Sequence, residues 1–114
     1  VTQGGMKIYA DRPAPMVIGY ATAVVQTAGS GLVPLFEQMM HDQNGRRYTV
    51  DSFRRYEGGG LGATIRGDVV LMGSIAFMKL MRVHMPEGAR VKQAVYLSVN
   101  GELAAVFALN AFGV

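Results

Sequence analysis

Apolar and polar positions alternate with two different periods along the chain, and the change of period marks its elements. Between residues 16 and 25, Val17, Tyr20, Ala21, Val24 and Val25 recur three and four residues apart, which is the helical period. Asp11, Arg12 and Pro13 supply an N-cap and an early helix proline before this stretch. Residues 28–31, with Gly29 and Gly31, stop it. A second helix is predicted over about residues 32–42, with Leu32, Leu35, Phe36 and Met39 on one face and Glu37, Gln38 and Asp42 on the other. Asn44 and Gly45 close that helix.

From there the period shortens to two. Residues 46–56 set Arg47, Thr49, Asp51 and Arg55 against Tyr48, Val50 and Phe53, with the phase drifting near Ser52, so one bulged strand is expected. Gly58, Gly59 and Gly60 interrupt it. Strands over 61–65 and 69–72 flank a glycine-centred turn at Arg66, Gly67 and Asp68. Gly73 and Ser74 offer an N-cap to a helix near 75–83, and residues 85–88 read as a loop. Two further strands, 94–99 and 103–109, bracket Asn100-Gly101, the strongest hairpin signal in the chain. With a short β-prone run at 6–9, the order is β-α-α-β-β-β-α-β-β. The expected fold class is α+β, a largely antiparallel sheet with flanking helices, in a single module over 1–114.

Composition narrows this picture. Half the residues are apolar, 17% are charged and 15 are glycine, enough for one core and unlike a disordered chain or a coiled coil. The absence of cysteine excludes disulfides, thiolate metal sites and Cys nucleophiles. The most apolar stretch, 14–28, contains Gly19, Thr22 and Gln26 and is shorter than the roughly 20 residues of a membrane span. It also lacks the pattern of a signal peptide. The Val1 start and the apolar run at 106–114 read as the two ends of a piece of a larger protein. The net charge of +3 and the arginine doublets at 46–47 and 54–55 read as a solvated strand face, and no stacking pattern or motif points to nucleic acid.

Candidate chemistry is sparse. His41 and His84 have no second ligand at helical or hairpin spacing, so no metal site is expected, and His41 suits a helix C-terminus. Ser30, Ser52, Ser74 and Ser98 sit in no nucleophile elbow, and the acidic residues form no pair, so no catalytic residue is assigned. The glycines at 58–62 precede a strand instead of opening a helix, and no Gly-Lys-Ser/Thr follows, which excludes the Rossmann and Walker loops. The eight methionines read as core fillers.

One stretch goes further. From Tyr56 to Ser74 a glycine turn, a strand, a glycine hairpin, a second strand and a Gly-Ser helix start follow in order, and residues 94–109 add an Asn-Gly hairpin. This series resembles the nucleotide-binding domain of P-type cation-transporting ATPases, the heavy-metal branch above all, over roughly residues 30–110. The resemblance places the family's Gly-x-Gly turn at Gly58 and Gly60, where a bare backbone can approach a nucleotide. It sets the family's Ser-Glu-His-Pro-Leu element against Leu32, Val33, Pro34 and Leu35, so Leu32 and Val33 stand where the ATP-holding Glu and His would be. Glu57 replaces the proline before the glycine turn, and Asn110 replaces an acidic residue after the last strand.

The resemblance therefore implies a divergent cytosolic domain, at the cytoplasmic face of a membrane protein, with a degenerate ATP site. ATP binding would be weak or lost, magnesium would come only with the parent protein, and the phosphorylation domain of the parent chain would be the partner. Contact with a membrane would be through the parent alone. The alternative is a repurposed regulatory or interaction domain that no longer binds nucleotide.

Overall fold

The computed structural model describes residues 2–3, 6–9, 12–57, 59–86 and 94–108. Its elements in chain order are β1 (Thr2–Gln3), β2 (Met6–Ile8), α1 (Ala14–Ala28), α2 (Val33–Asp42), β3 (Ser52–Arg55), β4 (Leu61–Ile65), β5 (Asp68–Gly73), α3 (Ile75–Leu80), β6 (Ala94–Val99) and β7 (Glu102–Ala108). The strands form one sheet in the order β1-β2-β7-β6-β5-β4-β3, and every neighbouring pair is antiparallel. The expected α+β class and antiparallel sheet are what the structure has, with the two-residue β1 added at one edge.

Both short hairpin turns follow from local chemistry. Arg66 and Gly67 have φ of 54° and 80°, and Asn100 and Gly101 have 53° and 85°. Positive φ at both central residues defines the type I′ turn, whose twist matches that of the strands it joins. The Asn100 side chain also staples one hairpin to the other. Its Oδ1 accepts from the Val69 amide at 2.8 Å, and its Nδ2 donates to Asp68 at 2.9 Å.

The sheet buries both faces, but not equally. On one face, Ala63, Ile65, Val70, Met72, Leu97, Val99 and Phe107 pack under α1 and α2. Phe36 of α2 meets Phe107 of β7 edge to face at 5.0 Å, so α2 is anchored to a central strand. On the other face, Leu71, Tyr96, Leu103 and Val106 pack against Phe77, Met78 and Val83, supplied by α3 and the turn after it. The one-turn-and-a-half α3 is capped by Ser74, whose hydroxyl accepts from the Phe77 amide at 3.1 Å. It ends at Leu80, three residues short of the predicted limit, and Arg82 then takes a left-handed φ of 57°.

Helix α1 is apolar on nearly all sides because it lies between the sheet, α2 and a crossing segment. The buried Thr22 hydroxyl donates to the Ile18 carbonyl at 2.8 Å. Pro13 holds its N-cap position without a side-chain cap, and Asp11, the expected cap, lies outside the described residues. Gly29 stops it in the left-handed conformation, φ 67°, donating to the Gln26 carbonyl.

The long strand expected over 46–56 is corrected to the four residues of β3. Residues 46–50 instead cross α1, held by a hydrogen bond from the Arg46 amide to the Pro15 carbonyl at 3.1 Å. The Tyr48 ring packs edge to face on Tyr20 at 4.8 Å. Alternation of polar and apolar residues there reports packing on a helix, not pairing in a sheet.

Candidate functional site

Of the positions singled out by sequence, Leu32, Val33 and Gly60 lie at one end of the sheet, the end away from the two type I′ turns. The α1–α2 turn and the β3–β4 turn are joined there by the Arg55 guanidinium, which donates to the Ala28 carbonyl. Leu32 and Val33 are half-buried and pack against the core beneath α1 and α2, as do Phe53 and Leu61. Leu32 is the N-cap residue of α2 and Val33 opens the helix.

A helix start ordinarily presents free amides to a ligand. Here the first two are engaged. The Leu32 amide donates to Ser30 Oγ at 3.1 Å, the Val33 amide donates to the Ser30 carbonyl at 3.2 Å, and Pro34 has no N–H. Three consecutive positions thus offer neither a polar side chain nor a free backbone donor.

In the β3–β4 turn, Gly58 lies outside the described residues. Gly59 has the positive φ of the turn, 97°, and its amide donates to the Tyr56 carbonyl at 3.3 Å. The carbonyl of Gly60 accepts from the Tyr56 amide at 2.8 Å. Gly60 is buried, and a Cβ there would lie 2.2 Å from the Phe77 ring, with Gly73 in similar contact at 2.7 Å. These two glycines make room for Phe77 of α3, on the face of the sheet opposite α1 and α2. The structure therefore gathers Leu32, Val33 and Gly60 at one end of the sheet, with the apolar pair directed to one face and the open side of Gly60 to the other.

Electrostatics concentrate at the opposite end. Tyr20 donates to Asp68 at 2.6 Å, and Asn100 donates to the same carboxylate. Burial above all, then the hydrogen bond and the charge of Asp68, push the Tyr20 phenol up to about 12. The bonds from Tyr20 and Asn100 hold the Asp68 carboxyl below its ordinary range. This network joins α1 to two hairpins and is structural. Among the described residues no three His, Asp or Glu side chains gather as a metal site would require, and no helix is long and apolar enough to cross a membrane.

Sequence reasoning missed one feature. On the sheet face not covered by α1 and α2, beside α3, Ser52, Arg54, Tyr56, Thr64, Val69 and Leu71 line an open cleft of about 320 Å³. The signal was the register: Ser52 pairs with Thr64 and Thr64 with Val69, while Arg54 pairs with Gly62 and Gly62 with Leu71. Pairing of this kind cannot be read from a single strand.

Comparison with known proteins agrees on the fold. No family model matches the chain, and no curated protein matches it. Among solved structures it is similar to the N-domain of HMA6, a copper-transporting P-type ATPase, with a TM-score of 0.72, 19% identity and 92% of each chain covered. It is similar also to the N-domain of HMA8, another copper-transporting P-type ATPase, with a TM-score of 0.70, 20% identity, and 90% of this chain and 94% of that one covered. The catalytic domain of the CPx-ATPase CopB-B matches with a TM-score of 0.59 and 14% identity over 91% of this chain, which spans 36% of that one. The fold is that of the N-domain of heavy-metal P-type ATPases.

Proposed function

We propose that this chain is the nucleotide-binding-type domain of a P-type cation-transporting ATPase or a divergent relative, with a degenerate ATP site. Full-length overlap with two N-domains supports the domain assignment. The observation that carries the degenerate site is the start of α2, where Leu32 and Val33 have hydrocarbon side chains and both amides are taken by Ser30. The residues present do not fit polar recognition of adenine.

In this reading the parent chain brings the phosphorylation domain, the magnesium and the membrane helices, and the domain faces the cytoplasm. Loss of two anchors worth about 1.4 kcal/mol each lowers nucleotide affinity about a hundredfold. A repurposed regulatory or interaction role is the second reading, and the packing of Phe77 over Gly60 favours it, because the glycine turn already serves the core.

The test is restoration. The double variant Leu32→Glu/Val33→His, titrated with ATP, is expected to gain saturable amide shifts at Gly59, Gly60 and Leu61. A folded double variant that gains none counts against the alignment of Leu32 and Val33 with the ATP-holding pair.

A further inference from the structure

The open cleft has a composition that a bare sheet face would not require. The guanidinium of Arg54 rides on the Tyr56 ring, 4.6 Å from its centroid. Among the described residues it makes no ion pair or hydrogen bond, so its donor fork remains open. The Tyr56 ring in turn packs over Gly62, where a Cβ would lie 2.8 Å from it, and against Phe77 at 5.3 Å. Arg54 is therefore the outer layer of a stack rooted in the core.

Across the cleft the Ser52 hydroxyl donates to Thr64 Oγ1 at 2.9 Å. Since Thr64 accepts that bond, its own proton is left to donate elsewhere. Val69, which is 51% exposed, and Leu71 supply the apolar floor. Among the described residues no carboxylate lines the cleft. One fixed cation, one spare hydroxyl donor and an apolar floor beside an aromatic wall suit a flat apolar body carrying a single negative charge. A volume of about 320 Å³ lies at the small end of ligand sites.

We propose that this face is a binding site for a small aromatic carboxylate, with the carboxylate on Arg54 and Thr64 and the ring between Tyr56 and Val69. A carboxylate matches the planar fork of one guanidinium and its single charge, whereas a phosphate dianion would leave charge uncompensated. The site adjoins the glycine turn through Tyr56, whose amide donates to the Gly60 carbonyl, but it uses none of Leu32, Val33 and Gly60 and does not depend on how those are read.

Naphthalene-2-carboxylate is the probe, titrated into the labelled whole chain, with naphthalene-2-carboxamide as its uncharged counterpart. A ligand of this size is expected to bind at about 1 mM, shifting the amides of Ser52, Thr64, Val69 and Leu71. Arg54→Gln should weaken the carboxylate about tenfold and leave the amide unchanged. Ser52→Lys, at an exposed position of the edge strand that the ligand does not touch, adds a second cation beside Thr64 and should tighten the carboxylate severalfold, a gain that no loss of folding can imitate. The proposal is overturned if the two probes bind alike, if shifts fall outside the cleft, or if neither variant changes the affinity of the carboxylate.

Discussion

The Phe77 ring fills the space into which any side chain at Gly60 would project, at 2.2 Å from an ideal Cβ. Gly60 does not have the left-handed φ of its neighbour Gly59, so the need for glycine is one of space and not of backbone strain.

Gly60→Val should accordingly destabilise the domain by about 2–3 kcal/mol, the usual range for overpacking a closed core. Phe77→Leu in the same chain should recover part of that loss, since neighbours in contact couple. Chemical denaturation of the single and double variants checks both. An unchanged midpoint for Gly60→Val would remove the contact from the account.

Gly19 gives a prediction with an unusual sign. Replacing glycine by alanine within a helix ordinarily stabilises by about 1 kcal/mol. In α1, however, a Cβ at Gly19 would sit 2.1 Å from the Arg46 carbonyl and 2.8 Å from the Tyr48 ring. Gly19→Ala should therefore destabilise, by about 2 kcal/mol or more, as the crossing segment is pushed away. Thermal melting is sufficient to read the sign.

The Tyr20–Asp68 bond makes stability depend on pH at both extremes. The Asp68 carboxyl is depressed in the folded state, first by Tyr20 and then by Asn100, so its contribution is present above the unfolded value and is lost as pH falls through the folded one. The Tyr20 phenol is raised to about 12, so its contribution is present below the unfolded value of 10.0 and is lost as pH rises towards 12. Tyr20→Phe should cost about 1–2 kcal/mol at neutral pH and flatten the acid limb of the stability profile. Urea midpoints from pH 3 to 7 decide it, and a variant with the parent slope would contradict the assignment.

Hydrolysis by the isolated chain is not expected on the proposed reading, in which the phosphorylation domain belongs to the parent chain. Purified protein should release no phosphate from ATP above buffer. Turnover abolished by a single substitution would contradict this.

Local signals in the sequence carried most of the fold. Arg66-Gly67 and Asn100-Gly101 each specify a two-residue turn, and Gly29 and Ser74 bound helices at the expected places. What was not legible depends on contacts between distant residues. The period-two pattern of 46–50 looked like a strand because Tyr48 faces a helix, and only Gly19, more than two dozen positions earlier, explains why. The contact of Gly60 with Phe77, 17 positions further on, was not readable from the glycine turn alone. Engagement of the Leu32 and Val33 amides by Ser30 and the assembly of the cleft from three strands were likewise invisible along one line of sequence.

The central claim, that the fold of an ATPase N-domain persists here with a degenerate nucleotide site, is tested most directly by titrating the isotope-labelled chain with ATP and following backbone amides. Leu32, Val33, Gly59, Gly60 and Leu61 are the reporters, since they lie at the end of the sheet to which the proposed alignment assigns the ATP-holding positions, apart from Ser52, Thr64 and Val69. The expected result is no saturable shift at these five amides up to millimolar ATP, since on the proposed reading a hundredfold loss takes a submillimolar affinity to about tens of millimolar. Saturable shifts there with a submillimolar Kd would contradict the account and make the domain a working nucleotide site.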